Sequence, residues 1–121
     1  MDLKKNTTIE FEFYDGTTAA MTLTFYALYQ LKSKNKSLYE RYNRIMSKGP
    51  ADELEMITVM YTAYVCAHLD DAEIMSEVDF MILCGSDRKA IQNAFVKLTQ
   101  PKKQKASDNR SETEPVPGSK E

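Results

Sequence analysis

The stretch from Pro50 to His68 constrains the fold more than any other part of the chain. Read at 3.6 residues per turn, one stripe carries Leu54, Ile57, Tyr61, Tyr64, Val65 and His68, and a second carries Met56, Met60, Ala63 and Ala67. A helix that is apolar over most of its circumference has little surface to give to water. It is therefore either the centre of a domain or is covered on its far side by a partner. Pro50 opens it where a missing N–H does no harm, and Asp52 and Glu53 in the first turn complement the helix dipole.

What can surround such a helix follows from the flanking patterns. Thr7 to Phe13 alternates Ile9, Phe11 and Phe13 with Glu10 and Glu12, and after Tyr14-Asp15-Gly16 the alternation resumes through Ala19, Met21, Leu23 and Phe25. Two half-buried strands joined by an Asp-Gly turn signal predict a β-hairpin over about 7–25. Two strands alone are marginal in water, so their apolar face must rest on a later element. From Thr24 the period becomes helical, with Phe25, Leu28, Tyr29 and Leu31 on one face, until the polar run Lys32 to Lys36. Ser37 is placed to cap a second helix bearing Leu38, Tyr42, Ile45 and Met46, which Gly49 stops. Beyond Asp70-Asp71, Ser76 with Asp79 signals a cap for the short apolar helix VDFMILC. Gly85 breaks that helix. Ser86 then caps a last one whose face is Ala90, Ile91, Ala94, Phe95 and Leu98.

These readings predict an α+β body over residues 1–100, an N-terminal hairpin followed by four to five helices over about 25–100. Residues 101–121 hold one large apolar residue, Val116, and too little apolar surface to offset the entropy of ordering them, which predicts a disordered tail. The 121 residues fit one domain. Sixteen Lys and Arg stand against 18 Asp and Glu, for a formal charge of −2, without the positive field that nonspecific nucleic-acid binding relies on. No run approaches a membrane span or a secretory signal, so the three N-x-S/T sequons at Asn6, Asn35 and Asn109 carry no expectation of glycosylation. Cys66 and Cys84 lack CxxC spacing and read as reduced thiols.

The candidate chemistry is sparse. Cys66, His68 and Asp70 invite a metal or nucleophile–base reading, but residues two apart on a helix point about 200° from each other. The acidic stretch Asp70, Asp71, Glu73, Glu77 and Asp79 fails the calcium-loop pattern, since its sixth residue is Met75 and its twelfth Met81. Lys32, Lys34 and Lys36 between Tyr29 and Tyr39 resemble a basic patch with aromatics, on a chain of net negative charge. Phosphate-loop, dinucleotide, nucleophile-elbow and HExxH strings are absent. The expectation is a module that binds proteins, with no catalytic residue, metal or cofactor. The Met and Tyr surface of the Pro50–His68 helix, namely Met56, Met60, Tyr61 and Tyr64, is the candidate partner-binding site.

From Phe25 to Asp71 the chain resembles the central region of tail assembly chaperones from long-tailed phages and prophages of Gram-positive bacteria. The likeness lies in ALY-x-LKSKNK, YERYN-x-IM-x-KGP and YTAY-x-CA, with MSEVDFMIL similar to a further family segment. It covers roughly residues 7–103. The resemblance implies a non-enzymatic protein of the host cytoplasm, absent from the mature virion. Such a protein binds the tape measure protein, helps tail tube subunits assemble around it, and self-associates. It also implies a longer frameshifted product diverging near Pro101-Lys102-Lys103. Two other classes fit the residues: a small structural tail or connector component, and a helix-turn-helix regulator over Ser76–Leu98, whose second helix offers only Arg88 and Lys89 near its start.

Overall fold

The computed structural model describes residues 8–100. A two-stranded antiparallel hairpin, β1 (Thr8–Glu12) and β2 (Thr18–Thr22), precedes five helices: α1 (Phe25–Lys34), α2 (Lys36–Lys48), α3 (Glu53–Ala67), α4 (Glu77–Cys84) and α5 (Arg88–Thr99). This is the hairpin-plus-helices arrangement that the patterning implied. The expected disordered tail from residue 101 lies outside the described residues.

Pairing Ile9 with Met21 and Phe11 with Ala19 puts the alternating residues on one face, and Phe11, Phe13, Ala19 and Met21 are buried there. Asp15-Gly16 works within a three-residue loop. The Gly16 N–H donates to the Phe13 carbonyl at 2.9 Å, the Phe13 N–H donates to Thr17 at 2.7 Å, and Gly16 takes φ +91. The Asp15 carboxylate accepts from the Thr17 hydroxyl at 2.7 Å and its N–H at 3.0 Å, which holds its pKa below the ordinary range.

The helix starts are set by side-chain caps, and three differ from the pattern reading. Asn35, not Ser37, caps α2: its Oδ1 accepts from Leu38 N–H at 3.2 Å, while its own N–H donates to the Leu31 carbonyl at 2.7 Å. One residue thus closes α1 and opens α2, and the run Lys32–Lys36 is the junction of two helices instead of a loop. Asp52 caps α3 by accepting from Glu55 N–H at 3.1 Å, and the Glu55 carboxylate accepts from Ala51 N–H at 2.8 Å. Pro50 therefore precedes the helix. Asp87 caps α5 in place of Ser86, accepting from Ala90 N–H at 3.1 Å. In each case an Asx side chain competed with a weaker or misplaced signal and won. Ser76 caps α4 as expected, accepting from Asp79 N–H at 3.1 Å.

Helix α3 packs against β2, α1, α2, α4 and α5, so the doubly apolar helix is the centre of the body. Nine of its residues, from Ile57 to Cys66 apart from Tyr61, are buried. Thr62 joins them because its hydroxyl donates to the Thr58 carbonyl at 2.8 Å, which satisfies its polar group inside the core. Helix α1 buries Leu28 and Leu31 as the pattern implied, with Ala27 beside them, while Phe25 and Tyr29, expected on the same face, point outward. Packing α1 against both α2 and α3 at once favours an inward arc built on a small alanine beside two leucines. No helix among the described residues is long and apolar enough to cross a membrane.

Candidate functional site

The four residues assigned to partner binding lie in or against the core. Met60 is fully buried and Tyr64 is buried, while Met56 and Tyr61 are half-buried and packed on the core cluster. Their work is internal. The Tyr61 hydroxyl donates to the Met75 carbonyl at 2.9 Å, and the Tyr64 hydroxyl accepts from the Met75 N–H at 3.0 Å. Two tyrosines one turn apart thus pin the backbone that leads into α4. The expectation of an open Met/Tyr surface on this helix is corrected accordingly, since α4, α5 and the hairpin cover the stripes left open in the sequence reading.

The polar residues that attracted attention are also engaged locally. His68 Nδ1 lies 2.7 Å from the Asp71 carboxylate, its ring centroid lies 4.7 Å from that of Tyr64 with the planes tilted by 42°, and its Nε2 is buried without a partner among the described residues. Burial pushes the Cys66 thiol up to about 12 and Cys84 up to about 11, so neither supplies a thiolate at neutral pH. Lys34 pairs with Asp70 and Lys36 with Glu40. Arg41 holds Glu77 through two parallel bonds of 2.9 and 2.8 Å, which tie α2 to the first turn of α4. Among the described residues, no group of three or more His, Cys, Asp or Glu could hold a metal ion.

A shallow cleft of about 290 Å³ lies between the start of α3 and the Gly85–Arg88 connection, with Leu54, Ile57 and Ile91 in its wall. Its charged groups satisfy one another: Gln92 donates to Glu53 at 3.0 Å and Arg88 at 2.6 Å, and these contacts, that of Gln92 foremost, keep the Glu53 carboxyl below its ordinary pKa. The volume sits at the small end of ligand pockets, and the Ser86 hydroxyl is the polar side-chain group of its lining left without a partner among the described residues.

What the body does offer is apolar surface in two places. On α4, Phe80 and Cys84 turn inward, which leaves Val78, Met81 and Ile82 exposed at i, i+3 and i+4. Tyr14, 71% exposed, is held beside this helix by a backbone bond from its N–H to the Leu83 carbonyl at 3.1 Å and by contact with Gly85. On α1, Phe25, Tyr26 and Tyr29 face solvent. The sequence reading missed both faces. VDFMILC is apolar on every side, so periodicity cannot choose its inner face. The available signal was size: a body this small cannot cover both a doubly apolar α3 and an all-apolar α4.

Comparison with protein-family models, with curated proteins and with solved structures finds no match for this chain.

Proposed function

We propose that this chain is a non-enzymatic tail assembly chaperone. It binds the tape measure protein in the host cytoplasm while tail tube subunits assemble, and it is left out of the finished virion. The reading draws on the resemblance of residues 25–71, and the observation that carries it furthest is the outward face of α4. Val78, Met81 and Ile82 form a short apolar ridge with Tyr14 at its side, on a helix anchored from beneath by Phe80 and by the Arg41–Glu77 pair. A ridge at i, i+3 and i+4 suits a long helical client, which would lay its own apolar stripe alongside. The polar rim supplied by Asp79 and Glu73 would limit how much apolar surface remains open when no client is bound.

The test is co-purification of the tape measure protein with the full chain and with a Val78→Asp, Ile82→Asp variant. Both positions are exposed, so circular dichroism should show the fold retained. Two apolar anchors contribute roughly 1.5–3 kcal/mol each on full burial, so capture should fall at least 100-fold. Unchanged capture by the folded variant removes the α4 face from the reading. Mass spectrometry of purified particles addresses the class: a fixed copy number per virion would make the chain a structural component instead.

A further inference from the structure

Two apolar faces stand open on the described body, and they differ in the sign of the charge beside them. On α1, Phe25 is 91% exposed, Tyr29 74% and Tyr26 64%. The first turn of that helix carries no acid, and its last turn carries Lys32 and Lys34. Lys34 pairs with Asp70, whereas Lys32 has no carboxylate partner among the described residues and holds its Nζ 5.6 Å from the Tyr39 ring centroid. The ridge of Val78, Met81 and Ile82 has the opposite surroundings: the first turn of α4 carries Glu77 and Asp79, and its last turn no base. Arg41 engages Glu77, which leaves Asp79, and the exposed Glu73 before the helix, without a cation among the described residues.

The wider charge pattern has the same polarity. Residues 32–48 hold six Lys and Arg against one acid, Glu40, while residues 51–79 hold eight Asp and Glu and neither Lys nor Arg. Two α1 faces therefore repel, as do two α4 faces, and unlike faces attract. The shapes agree as well. Phe25 with Tyr29, and Val78 with Ile82, are both i, i+4 rows about 6 Å long. Such rows on two helices interlock with the axes crossing at about 50°. With the helices antiparallel, Phe25 meets Ile82 and Tyr29 meets Val78. Lys32, about 4.5 Å beyond Tyr29, then falls at the end of α4 that carries Glu73 and Asp79. The parallel sense would bring it to Phe80–Cys84, which hold no acid. At about 150–250 Å² per aromatic side chain and less for the aliphatic ones, the two faces with Tyr14 amount to roughly 750 Å². That is below the about 1,200 Å² of a stable complex, so the contact is reversible, with a Kd on the order of 0.1 mM.

We infer that the aromatic face of α1 in one copy docks antiparallel on the α4 ridge of a second copy, with Lys32 beside Glu73 and Asp79. The interface is heterologous, so a copy engaged through one face keeps the other open for the next. The contact does not rest on the chaperone reading. Under that reading, a client and a second copy compete for the same ridge.

Sedimentation velocity of the purified full chain, with no client added, tests it. The chain should associate between about 20 µM and 1 mM, and less at about 0.5 M salt. A Phe25→Ser, Tyr29→Ser chain lacks one face and a Val78→Asp, Ile82→Asp chain the other, and all four positions are exposed, so both should fold. Alone, each should associate at least about tenfold more weakly. Mixed, they should form a heterodimer and nothing larger, because one complementary pair of faces remains. Association of either variant alone means that like faces meet and overturns the proposal, as does a monomeric mixture or an unmodified chain that stays monomeric. Lys32→Glu leaves the apolar faces intact and should weaken association about fivefold, with recovery when Glu73→Lys and Asp79→Lys are added to the same chain. No weakening, or no recovery, equally overturns it.

Discussion

Phe80→Ala is the substitution whose cost the structure specifies best. The Phe80 side chain is fully buried, and its ring lies 5.5 Å from each of Phe13, Tyr61 and Tyr64. It therefore joins the end of the hairpin, the central helix and α4 at one point. Removing a buried phenylalanine costs about 3–5 kcal/mol through lost transfer energy and the cavity left behind. Three ring contacts, each contributing about 0.5–1.5 kcal/mol beyond area, put this site in the upper part of that range. A body of this size has about 5–15 kcal/mol in all, so the variant should be marginal. With a urea slope of about 1–1.5 kcal/mol/M, the midpoint should fall by about 3–5 M, and the melting temperature by roughly 15–40 °C. Phe80→Leu, which keeps most of the volume, should lose about half as much. Phe25→Ala makes the internal comparison, because the same residue type at an exposed position should change stability by about 0.5 kcal/mol or less. Urea titration followed by far-ultraviolet dichroism measures all three. A loss below about 1 kcal/mol in Phe80→Ala at unchanged slope would refute the packing of α4 through this ring.

Two glycines should separate backbone strain from crowding. Gly16 and Gly85 both hold positive φ, but a Cβ at Gly16 meets nothing within 4 Å, whereas one at Gly85 falls 3.1 Å from the Tyr14 Cβ. Gly16→Ala should cost about 1 kcal/mol and Gly85→Ala about 2–3 kcal/mol, with equal costs arguing against the Tyr14–Gly85 contact. The thiols give a test in alkali: folded values of about 12 for Cys66 and about 11 for Cys84 lie above the ordinary 9.0. The unfolded chain releases these protons first. Their contribution is therefore whole below about pH 9 and is lost as pH rises through the folded values. The urea midpoint should fall between pH 8 and 10.5, and fall less in a Cys66→Ala, Cys84→Ala variant; an equal fall would place the effect elsewhere. Both thiols should resist a disulfide reagent at pH 8 and react fully once the chain is denatured.

Much of the architecture was legible because it is written in short-range patterns. Alternation around Asp15-Gly16 gave the hairpin, Gly49 and Gly85 marked helix ends, and Ser76 with Asp79 marked a start. The caps that were missed, Asn35, Asp52 and Asp87, lay within two residues of the ones chosen, where several polar side chains could have served and only the backbone path selects among them. The candidate site was less legible. Met56, Met60, Tyr61 and Tyr64 carry the same residue types whether they meet a client or the rest of the body, and they meet the body.

The sequence alone therefore determined that α3 had to be covered on nearly every side, since no rotation of Pro50–His68 presents a polar face to water. Tertiary structure decided what covers it, and so which residues remain outside. Phe80 and Cys84 turned α4 inward on one side, and Ala27, Leu28 and Leu31 turned α1. The apolar residues left over, Val78, Met81 and Ile82 on one helix and Phe25, Tyr26 and Tyr29 on the other, became surface. A helix period is a local property of the chain, but the phase in which it meets its neighbours is set by close packing among elements distant in sequence.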